Sequence, residues 1–405
     1  MKVLFLTTVL PGLRTMGSEV ASQAVIDAML ELGCEVTILG YMRRGRPGAM
    51  SPQEVSAGER VIETQHAGLQ AFLWYGRAVL TRMPYSAAKY RSRSYTTCVR
   101  DLLAANAYDA VIVDHAQLAW LATLLPPSQR LIGMLHNIEN AMYRDLAQEP
   151  GRRSWSRAVY AREARLIEYY ERELGARAQE LWALTESDAQ YYRGLTPRLV
   201  RVLSLPGGKG AVPQSYPKVF DVALIGNWCW RANRDGLDWF LHRVHPHLPK
   251  NLSIHVAGGG AQWLEGRYPN VVYRGFVRDA QEFLAQARVV AIPTLSGGGI
   301  QIKTLDAIAS GSQIVANPIA VRGIANAPST VRVADDPAAF ADALRIAAAQ
   351  PDCAAATAEA LHWTRRREQL LLDTIAHALQ ISACQLRSKA DPTHTARAQP
   401  CLPST

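Results

Sequence analysis

Short apolar runs that close on polar residues recur along the chain, and this pattern constrains the fold more than any other feature. The first run, "KVLFLTT" at 2–8, precedes apolar residues at helical spacing over 18–33 and a second run, "CEVTILG", at 34–40. Strand, helix and strand in this order predict a right-handed parallel crossover, with Ser18 as the helix cap and Gly33 as its stop. Further runs that end in polar residues lie at 108–115, 130–137 and 180–187. Ligands of open parallel sheets bind beyond the carboxyl ends of strands, so these ends predict a cleft.

The pattern breaks at "LPGGKGAVPQSYPKV", residues 205–219. Three prolines and three glycines in this stretch disfavour a lasting helix or strand, so we expect a linker. The pattern then restarts, with apolar runs that read FDVALIG, NLSIHVAGGG, NVVYRGFV, RVVAIPT and SQIVANP. A chain of 405 residues has the length of two domains. We therefore predict an α/β chain of two doubly wound, Rossmann-like domains at 1–204 and 220–360, with a disordered polar tail at 381–405.

Charge and composition narrow the partners and the compartment. A net charge of +9 favours an anionic partner such as a nucleotide, a lipid headgroup or a nucleic acid. The six cysteines form no C-x-x-C pair, which suits a reduced cytosol. The first apolar run is too short for a signal peptide, and no stretch approaches the ~20 apolar residues of a spanning helix. We expect a cytoplasmic protein that meets a membrane only at its inner surface.

The stretch "TLSGGGIQIKTLDAIASGSQIVANP", residues 294–318, places three glycines before a predicted helix. Backbone N–H groups at a helix amino terminus attract anions, and the missing side chains let phosphate oxygens approach. Lys303 and Asp306 share one helix face, so an ammonium would meet phosphate while a carboxylate accepts ribose hydroxyls. The pattern predicts a nucleoside diphosphate site. The alternative is a flexible loop followed by an ordinary surface Lys/Asp pair.

This stretch resembles the donor-site signature of the family 4 glycosyltransferases, which have the GT-B fold. The resemblance includes residues 221–249, 270–294, 15–39 and 131–147, in the family's order. It implies a bacterial, metal-independent transferase of the hexosyltransferase kind that uses no cofactor. Such an enzyme moves a sugar from a nucleotide-diphosphate sugar to an acceptor, with retention, in polysaccharide or glycoconjugate assembly. The resemblance also implies that the helix at 361–380 crosses back to the first domain.

On the donor side, the resemblance implies contacts from both domains. Gly17 would let the backbone approach the phosphates, and Arg231 would supply a fixed cation. Phe276 and Val277 would border the base, with a core position as the alternative for Phe276. The signature itself contributes Gly298, Gly299, Ile300, Lys303 and Asp306. The family usually carries two glutamates eight residues apart; Gly298 stands at the first position here, which removes one contact to the transferred sugar, and Asp306 stands at the second.

In the first domain, His136 follows the apolar run "LIGML", so its imidazole is expected to face the cleft. The resemblance implies a catalytic role beside the transferred sugar, and a structural histidine is the alternative. Asn137, Glu139 and Arg144 follow closely and are expected on the acceptor side. Glu186, at the end of "LWALTE", is a second catalytic candidate, with helix capping by Ser187 as the alternative.

Two other functions fit the pattern: a nucleotide-sugar epimerase of the same architecture, and a non-catalytic basic binding protein. The segment 71–100 interleaves aromatic with Lys and Arg side chains. It predicts either amphipathic helices that cover the first sheet, or a patch that meets an anionic membrane where a lipid-linked acceptor waits. Neither a nucleic-acid-binding module nor a D-x-D motif is recognised, and Asp335–Asp336 has the pattern of a helix start. We therefore expect no metal and no nucleic acid as partners.

Overall fold

The computed structural model describes residues 1–13, 16–45, 50–62, 68–208, 216–351 and 353–381, and these form two parallel sheets flanked by helices. The first sheet contains β1 (Lys2–Val9), β2 (Glu35–Arg43), β3 (Glu54–Arg60), β4 (Ala110–Asp114), β5 (Leu131–Leu135), β6 (Glu180–Ala183) and β7 (Leu199–Val202). The second contains β8 (Phe220–Ile225), β9 (Ile254–Ala257), β10 (Val271–Gly275), β11 (Ala287–Ile292), β12 (Gln313–Ala316) and β13 (Val331–Val333).

The α-helices lie between these strands and after them. They are α1 (Gly17–Glu31), α2 (Leu69–Leu80), α3 (Tyr85–Ala88), α4 (Arg93–Ala105), α5 (Glu139–Gln148), α6 (Ser154–Arg177), α7 (Glu186–Leu195), α8 (Arg231–Trp239), α9 (Ala280–Ala285), α10 (Ile302–Ala309), α11 (Pro337–Ala349) and α12 (Ala354–Leu379). None of the described helices combines the length and apolar character needed to cross a bilayer.

Both sheets reverse their strand order beside their first strand. The order is β3-β2-β1-β4-β5-β6-β7 in the first sheet and β10-β9-β8-β11-β12-β13 in the second. In the first sheet, successive strands from β1 lie toward one edge, and successive strands from β4 lie toward the other. In the second sheet, β8 and β11 occupy the same two positions. In doubly wound folds, ligands bind beyond the carboxyl ends of the strands at such a reversal. The predicted class, α/β with two doubly wound units, is confirmed.

The predicted strands coincide with observed ones because the central strands are covered on both faces. Every residue of β4 and of β5 is buried, which is why they are continuous apolar runs and do not alternate with polar residues. The predicted cap of the first helix is wrong: α1 begins at Gly17 after Met16, and no side chain caps it. Its predicted stop is confirmed, since Gly33 has a φ of 82°, a conformation that glycine adopts at little cost.

The second domain confirms the helix start predicted around residue 336. The side chain of Asp336 accepts the backbone N–H groups of Ala338 and Ala339 at 3.0 Å, which caps the first turn of α11. This carboxylate is thereby committed to the helix end, as expected from the pattern.

The last helix, α12, packs against both domains. Ala360 belongs to the apolar core of the second sheet, whereas Leu371 and Ile375 belong to the core that contains Val3 of the first. The guanidinium of Arg367 donates to the carbonyl of Leu205 at 2.8 Å. The predicted linker lies between β7 and β8, with 209–215 outside the described residues, as is 382–405 of the predicted tail. The predicted domain boundaries stay predictions.

Candidate active site

His136 stands directly after β5 and pairs with Asp114, the last residue of β4. Nε2 of the imidazole is 2.7 Å from Asp114 Oδ1, and both side chains are buried. The two strands are neighbours in the sheet, so their carboxyl ends bring the side chains together. A carboxylate at Nε2 accepts the ring proton there, which leaves Nδ1 of a neutral ring as a hydrogen-bond acceptor.

Two hydroxyl groups complete the surroundings of Asp114. Its Oδ2 accepts Thr7 Oγ1 at 2.8 Å and Ser22 Oγ at 2.7 Å. Burial by itself would raise the pKa of Asp114, but the charges of His115 and His136 and the hydrogen bonds of His136 and Ser22 outweigh burial and lower the pKa to about 2. An ionised carboxylate therefore stands behind His136 at neutral pH.

His115 packs its ring on that of His136. The ring centroids are 4.0 Å apart and the planes lie within 22° of parallel. Burial lowers the pKa of His115 to about 4, although the Asp114 carboxylate opposes this shift, so the ring is neutral at pH 7. The backbone φ of His115 is 77°, a costly conformation for a residue with a Cβ, of a kind that occurs at functional sites.

Asp114, His115 and His136 are also the described side chains best placed to hold a metal ion. Their ligand atoms lie within 4.8 Å of one another. Both oxygens of Asp114 already accept hydrogen bonds, so an ion would have to displace the His136 proton. The metal independence expected from the sequence stays a prediction.

A buried carboxylate of α6 supports the loop that carries His136. Oε1 of Glu171 accepts the backbone N–H of Glu139 at 2.9 Å and lies 3.1 Å from the Tyr192 hydroxyl. That hydroxyl is also 2.9 Å from the carbonyl of Asn137. Burial raises the pKa of Glu171 to about 7, and hydrogen bonds from Asn140 and Tyr192 oppose the increase. Glu171 and Tyr192 thus fix the backbone of the acceptor-side candidates Asn137 and Glu139. Burial raises the pKa of Glu139 as well.

The glycine loop of the second domain touches the His136 loop of the first. A Cβ built on Gly299 would lie 2.4 Å from the His136 carbonyl oxygen, and one built on Gly298 would lie 3.1 Å from Asn137 Cβ. Real Cβ atoms do not approach a backbone oxygen so closely, so a side chain at Gly299 would force the two loops apart. The absent side chains thus serve contact between the domains.

Arg322 fixes the shape of the glycine loop. Its guanidinium donates to the carbonyl of Gly297 at 2.6 Å and to that of Gly299 at 3.1 Å. Both glycines have positive φ, 126° and 65°, which is costly for other residues. The local sequence carries no sign of Arg322 because this residue lies beyond β12, in a turn that only the fold brings to the loop.

Lys303 lies in the first turn of α10 with a neutral partner. Its Nζ donates to Asn233 Oδ1 at 2.9 Å, and burial lowers the pKa of Lys303 to about 8. Asp306, one turn later, accepts the backbone N–H of Gly208 at 3.0 Å. Burial raises the pKa of Asp306 to about 6, with that hydrogen bond opposing the shift. The predicted pair is therefore embedded between α8, α10 and the linker and is not an ordinary surface pair.

Gly17 and Ile300 come close to this region from opposite domains. A Cβ built on Gly17 would lie 3.4 Å from Ile302 Cγ1, so the start of α1 faces the start of α10. The side chain of Ile300 is buried in the same core as Phe5 of β1. Any contact of Ile300 with a donor therefore falls to its backbone.

Three of the charged candidates form ion pairs at the protein surface. Arg231, at the start of α8, pairs with Glu149 at the end of α5, with Nη1 and Oε2 3.2 Å apart. Glu186 is exposed and accepts Arg193 Nη1 at 2.5 Å. Arg144 donates to Glu168 Oε2 at 2.6 Å. The structure does not bring these side chains to His136, and their predicted roles stay predictions.

Two further candidates lie after β10. Phe276 is 82% exposed, so the core alternative for it is wrong, while Val277 is partly buried against the apolar core of the second sheet.

The cap of α7 is Thr185, whose hydroxyl accepts the Asp188 N–H at 3.1 Å. The predicted capping of this helix by Ser187 is therefore wrong.

Two doubly wound units thus meet at the carboxyl ends of their strands, where the glycine loop of one contacts the His136 loop of the other. This arrangement is that of the GT-B fold. Residues 220–350, which span the second sheet, match the family described as "Glycosyl transferases group 1". The resemblance found in the sequence is confirmed. No curated protein sequence matches the chain.

Solved structures of glycosyltransferases cover nearly the whole chain. The sucrose-phosphate synthase of Thermosynechococcus elongatus is 14% identical, with 96% of this chain and 99% of that chain covered at a TM-score of 0.65. The trehalose-6-phosphate synthase OtsA is 13% identical, with 95% and 100% covered at 0.63. WaaG, a glycosyltransferase involved in lipopolysaccharide biosynthesis, is 16% identical, with 97% and 100% covered at 0.56. At these identities the likeness establishes the fold.

Proposed function

We propose that the protein transfers a sugar from a nucleotide-diphosphate sugar to an acceptor, with the nucleotide held by the second domain. The observation that carries this proposal is the contact between the glycine loop and the backbone of His136. This contact brings the glycine loop, which would bind the diphosphate, next to the histidine–aspartate pair. A donor spanning the crevice would present its diphosphate to the second domain and its sugar to the first.

Each end of such a donor meets suitable chemistry. The Lys303 ammonium and the N–H groups at the start of α10 would stabilise charge on the departing diphosphate, in a site where few waters compete. His136, with Nε2 committed to Asp114, offers Nδ1 to a hydroxyl of the sugar or of the acceptor. Asp306 would accept ribose hydroxyls with the oxygen that Gly208 leaves unused, and Gly17 would admit the phosphates to the backbone of α1.

We further propose that the transfer retains configuration, as the resemblance implies, and that the acceptor is lipid-linked and met at the inner face of the membrane. Assembly of a cell-surface polysaccharide or glycoconjugate fits such an acceptor. The support for the membrane contact is the basic, aromatic segment 71–100. The anomeric coupling constant in the proton spectrum of the first-formed product would decide the stereochemistry.

Calorimetry with uridine, guanosine and thymidine diphosphates tests the donor site and assigns the base. We expect one of them to bind the full-length protein. If none of the three binds at millimolar concentration, the proposed donor site is wrong. Transfer would be established if nucleotide is released from the matching sugar donor only when acceptor is present. The epimerase alternative would be established if the sugar is epimerised and nucleotide release does not depend on acceptor.

Replacing Lys303 with alanine should weaken diphosphate binding by about 10- to 150-fold, since one charge-assisted hydrogen bond contributes ~1.5–3 kcal/mol. The pKa of about 8 adds a pH signature. The ammonium is charged below that pKa, so wild-type affinity should be full near pH 7 and fall as the pH rises through 8, whereas the variant should show no such fall. Titrations at several pH values measure both effects.

The matched control for that variant is Lys250→Ala, because Lys250 is an exposed lysine of the same domain. We expect its affinity and pH profile to equal those of the wild type. Equal and negligible effects of the two substitutions would show that Lys303 does not hold the diphosphate.

A further inference from the structure

The helix α2 is apolar on two opposite faces, and only one of them is covered. Trp74 and Ala78 are buried, and Trp74 packs its ring against the edge of Tyr85 at 6.4 Å between centroids. The other face carries four side chains that are 71–86% exposed: Leu69, Phe72, Leu73 and Leu80. At ~100° per residue these four fall within roughly 100° of one another, opposite the buried pair. A continuous apolar stripe of this kind on a surface helix marks a place of contact.

The surroundings of this stripe are basic and carry no acidic side chain of their own segment. From residue 64 to residue 100 the chain contains no Asp or Glu. The Lys and Arg residues in that range are Arg77, Arg82, Lys89, Arg91, Arg93 and Arg100. Some of them crowd together, since Arg77 donates to the carbonyl of Arg91 at 2.8 Å. Burial lowers the pKa of Arg77, and the charges of Arg91 and Arg60 lower it further.

This charge pattern favours a lipid surface over a second copy of the protein as the partner of the stripe. A second copy seated on the same face by two-fold symmetry would bring the two sets of arginines together, with no carboxylate of this segment to pair with them. Like charges at close range oppose such a dimer. An anionic lipid surface, in contrast, offers an apolar layer for the leucines and the phenylalanine and phosphate groups for the cations around them.

The helix is also tied firmly to the side of the sheet that holds the site. Arg162 of α6 donates to the carbonyl of Ala78 at 2.8 Å. From α4, which follows α2 and α3, the Tyr95 hydroxyl donates to the carbonyl of Thr7 at 2.8 Å. Thr7 in turn donates to Asp114 through its hydroxyl. These contacts tie the segment that carries the stripe to the same domain as the histidine–aspartate pair.

We propose that the exposed stripe of α2 docks the protein onto anionic phospholipid, with its leucines and Phe72 in the interface and the nearby arginines on the lipid phosphates. The docking itself does not depend on the proposed function. Only its purpose does, which is to bring the active site to a lipid-borne acceptor. Binding to lipid needs neither donor nor acceptor, so a failure of the docking would remove the support for a membrane-borne acceptor but would leave the proposed sugar transfer untouched.

Cosedimentation with vesicles tests the docking. The full-length protein should bind vesicles of phosphatidylcholine with phosphatidylglycerol, should bind phosphatidylcholine alone far more weakly, and should be released by salt. The double variant Phe72→Ser/Leu73→Ser should lose at least about tenfold in partitioning. Arg77→Gln/Arg82→Gln should lose on the order of tenfold on the anionic vesicles, since each cation near such a surface contributes ~1 kcal/mol. Ile346→Ser, at a partly exposed isoleucine of α11, should bind like the wild type.

Thermal unfolding and diphosphate calorimetry on the same variants keep the test decisive. Unchanged values would show that the fold and the second domain are intact when lipid binding is lost. The proposal is wrong if the folded wild type ignores anionic vesicles, or if the serine variant binds as the wild type does. It is equally wrong if the wild type is a dimer in solution that these serines separate, because the stripe would then be a contact between copies.

Discussion

Replacing His136 with alanine should lower turnover by ~10²–10⁴-fold, the range expected when a group that assists proton transfer or charge stabilisation is lost. Diphosphate affinity should change little, because in the proposed function the nucleotide is held by Lys303 and the glycine loop of the other domain. A group that meets the sugar only in the assembled crevice contributes to the transition state and little to nucleotide binding. Turnover with the acceptor, or donor hydrolysis where the acceptor is unknown, measures the first quantity and calorimetry measures the second.

A second substitution separates chemistry from folding at this position. His136→Gln keeps an amide N–H that can donate to the buried Asp114 carboxylate, so it should unfold nearer to the wild-type temperature than the alanine variant and still be slow. Unchanged turnover in a folded His136→Ala protein would assign the histidine a structural role. Attention would then pass to Glu139 and Glu186.

Asp114→Asn should lower turnover on the order of a hundredfold with little change in diphosphate affinity. An asparagine can present its own N–H to Nε2 of His136, which favours the tautomer with the proton on Nδ1 and removes the acceptor offered to the substrate. Nitrogen chemical shifts of the imidazole report the tautomer directly and do not depend on activity. A slow variant whose tautomer equals that of the wild type would refute this account of Asp114.

The same variant should change how stability depends on pH. The pKa of Asp114 is about 2 in the folded protein and about 3.9 in an unfolded chain. The ionised carboxylate therefore contributes on the order of 2–3 kcal/mol to the free energy of unfolding above pH 4, and this contribution is lost as the pH falls toward 2. The difference in unfolding free energy between wild type and Asp114→Asn should be largest near neutral pH and shrink below pH 4.

The sequence predicted the strands and the glycine loop because their signals are local. Buried parallel strands are continuous apolar runs, and a loop that must approach another backbone carries glycine at 297–299 whatever surrounds it. His136 was found in the same way, as a polar residue at a strand end. The two-domain architecture followed from the repetition of this pattern on both sides of a proline- and glycine-rich break.

The partners of these residues could not be predicted because they depend on strand order. Asp114 and Thr7 are 107 positions apart and meet only because β1 and β4 are adjacent in the sheet. The signal that was available for Asp114 and His115 was the polar end of the run at 108–115. For Arg231 the local pattern showed a cation at a helix start, whereas its partner Glu149 lies in the other domain, where no pattern along the chain connects them.

The contact of Gly299 with the His136 carbonyl limits how far the two halves of this enzyme are interchangeable. Donor preference would be altered most simply by grafting the second domain of another transferase onto the first domain of this one. Such a chimaera can close only if the incoming loop is bare at this position, because a single methyl group there would occupy the place of a main-chain oxygen in the recipient. Compatibility at one backbone contact would therefore decide which grafts yield a working crevice, before any specificity for the sugar is considered.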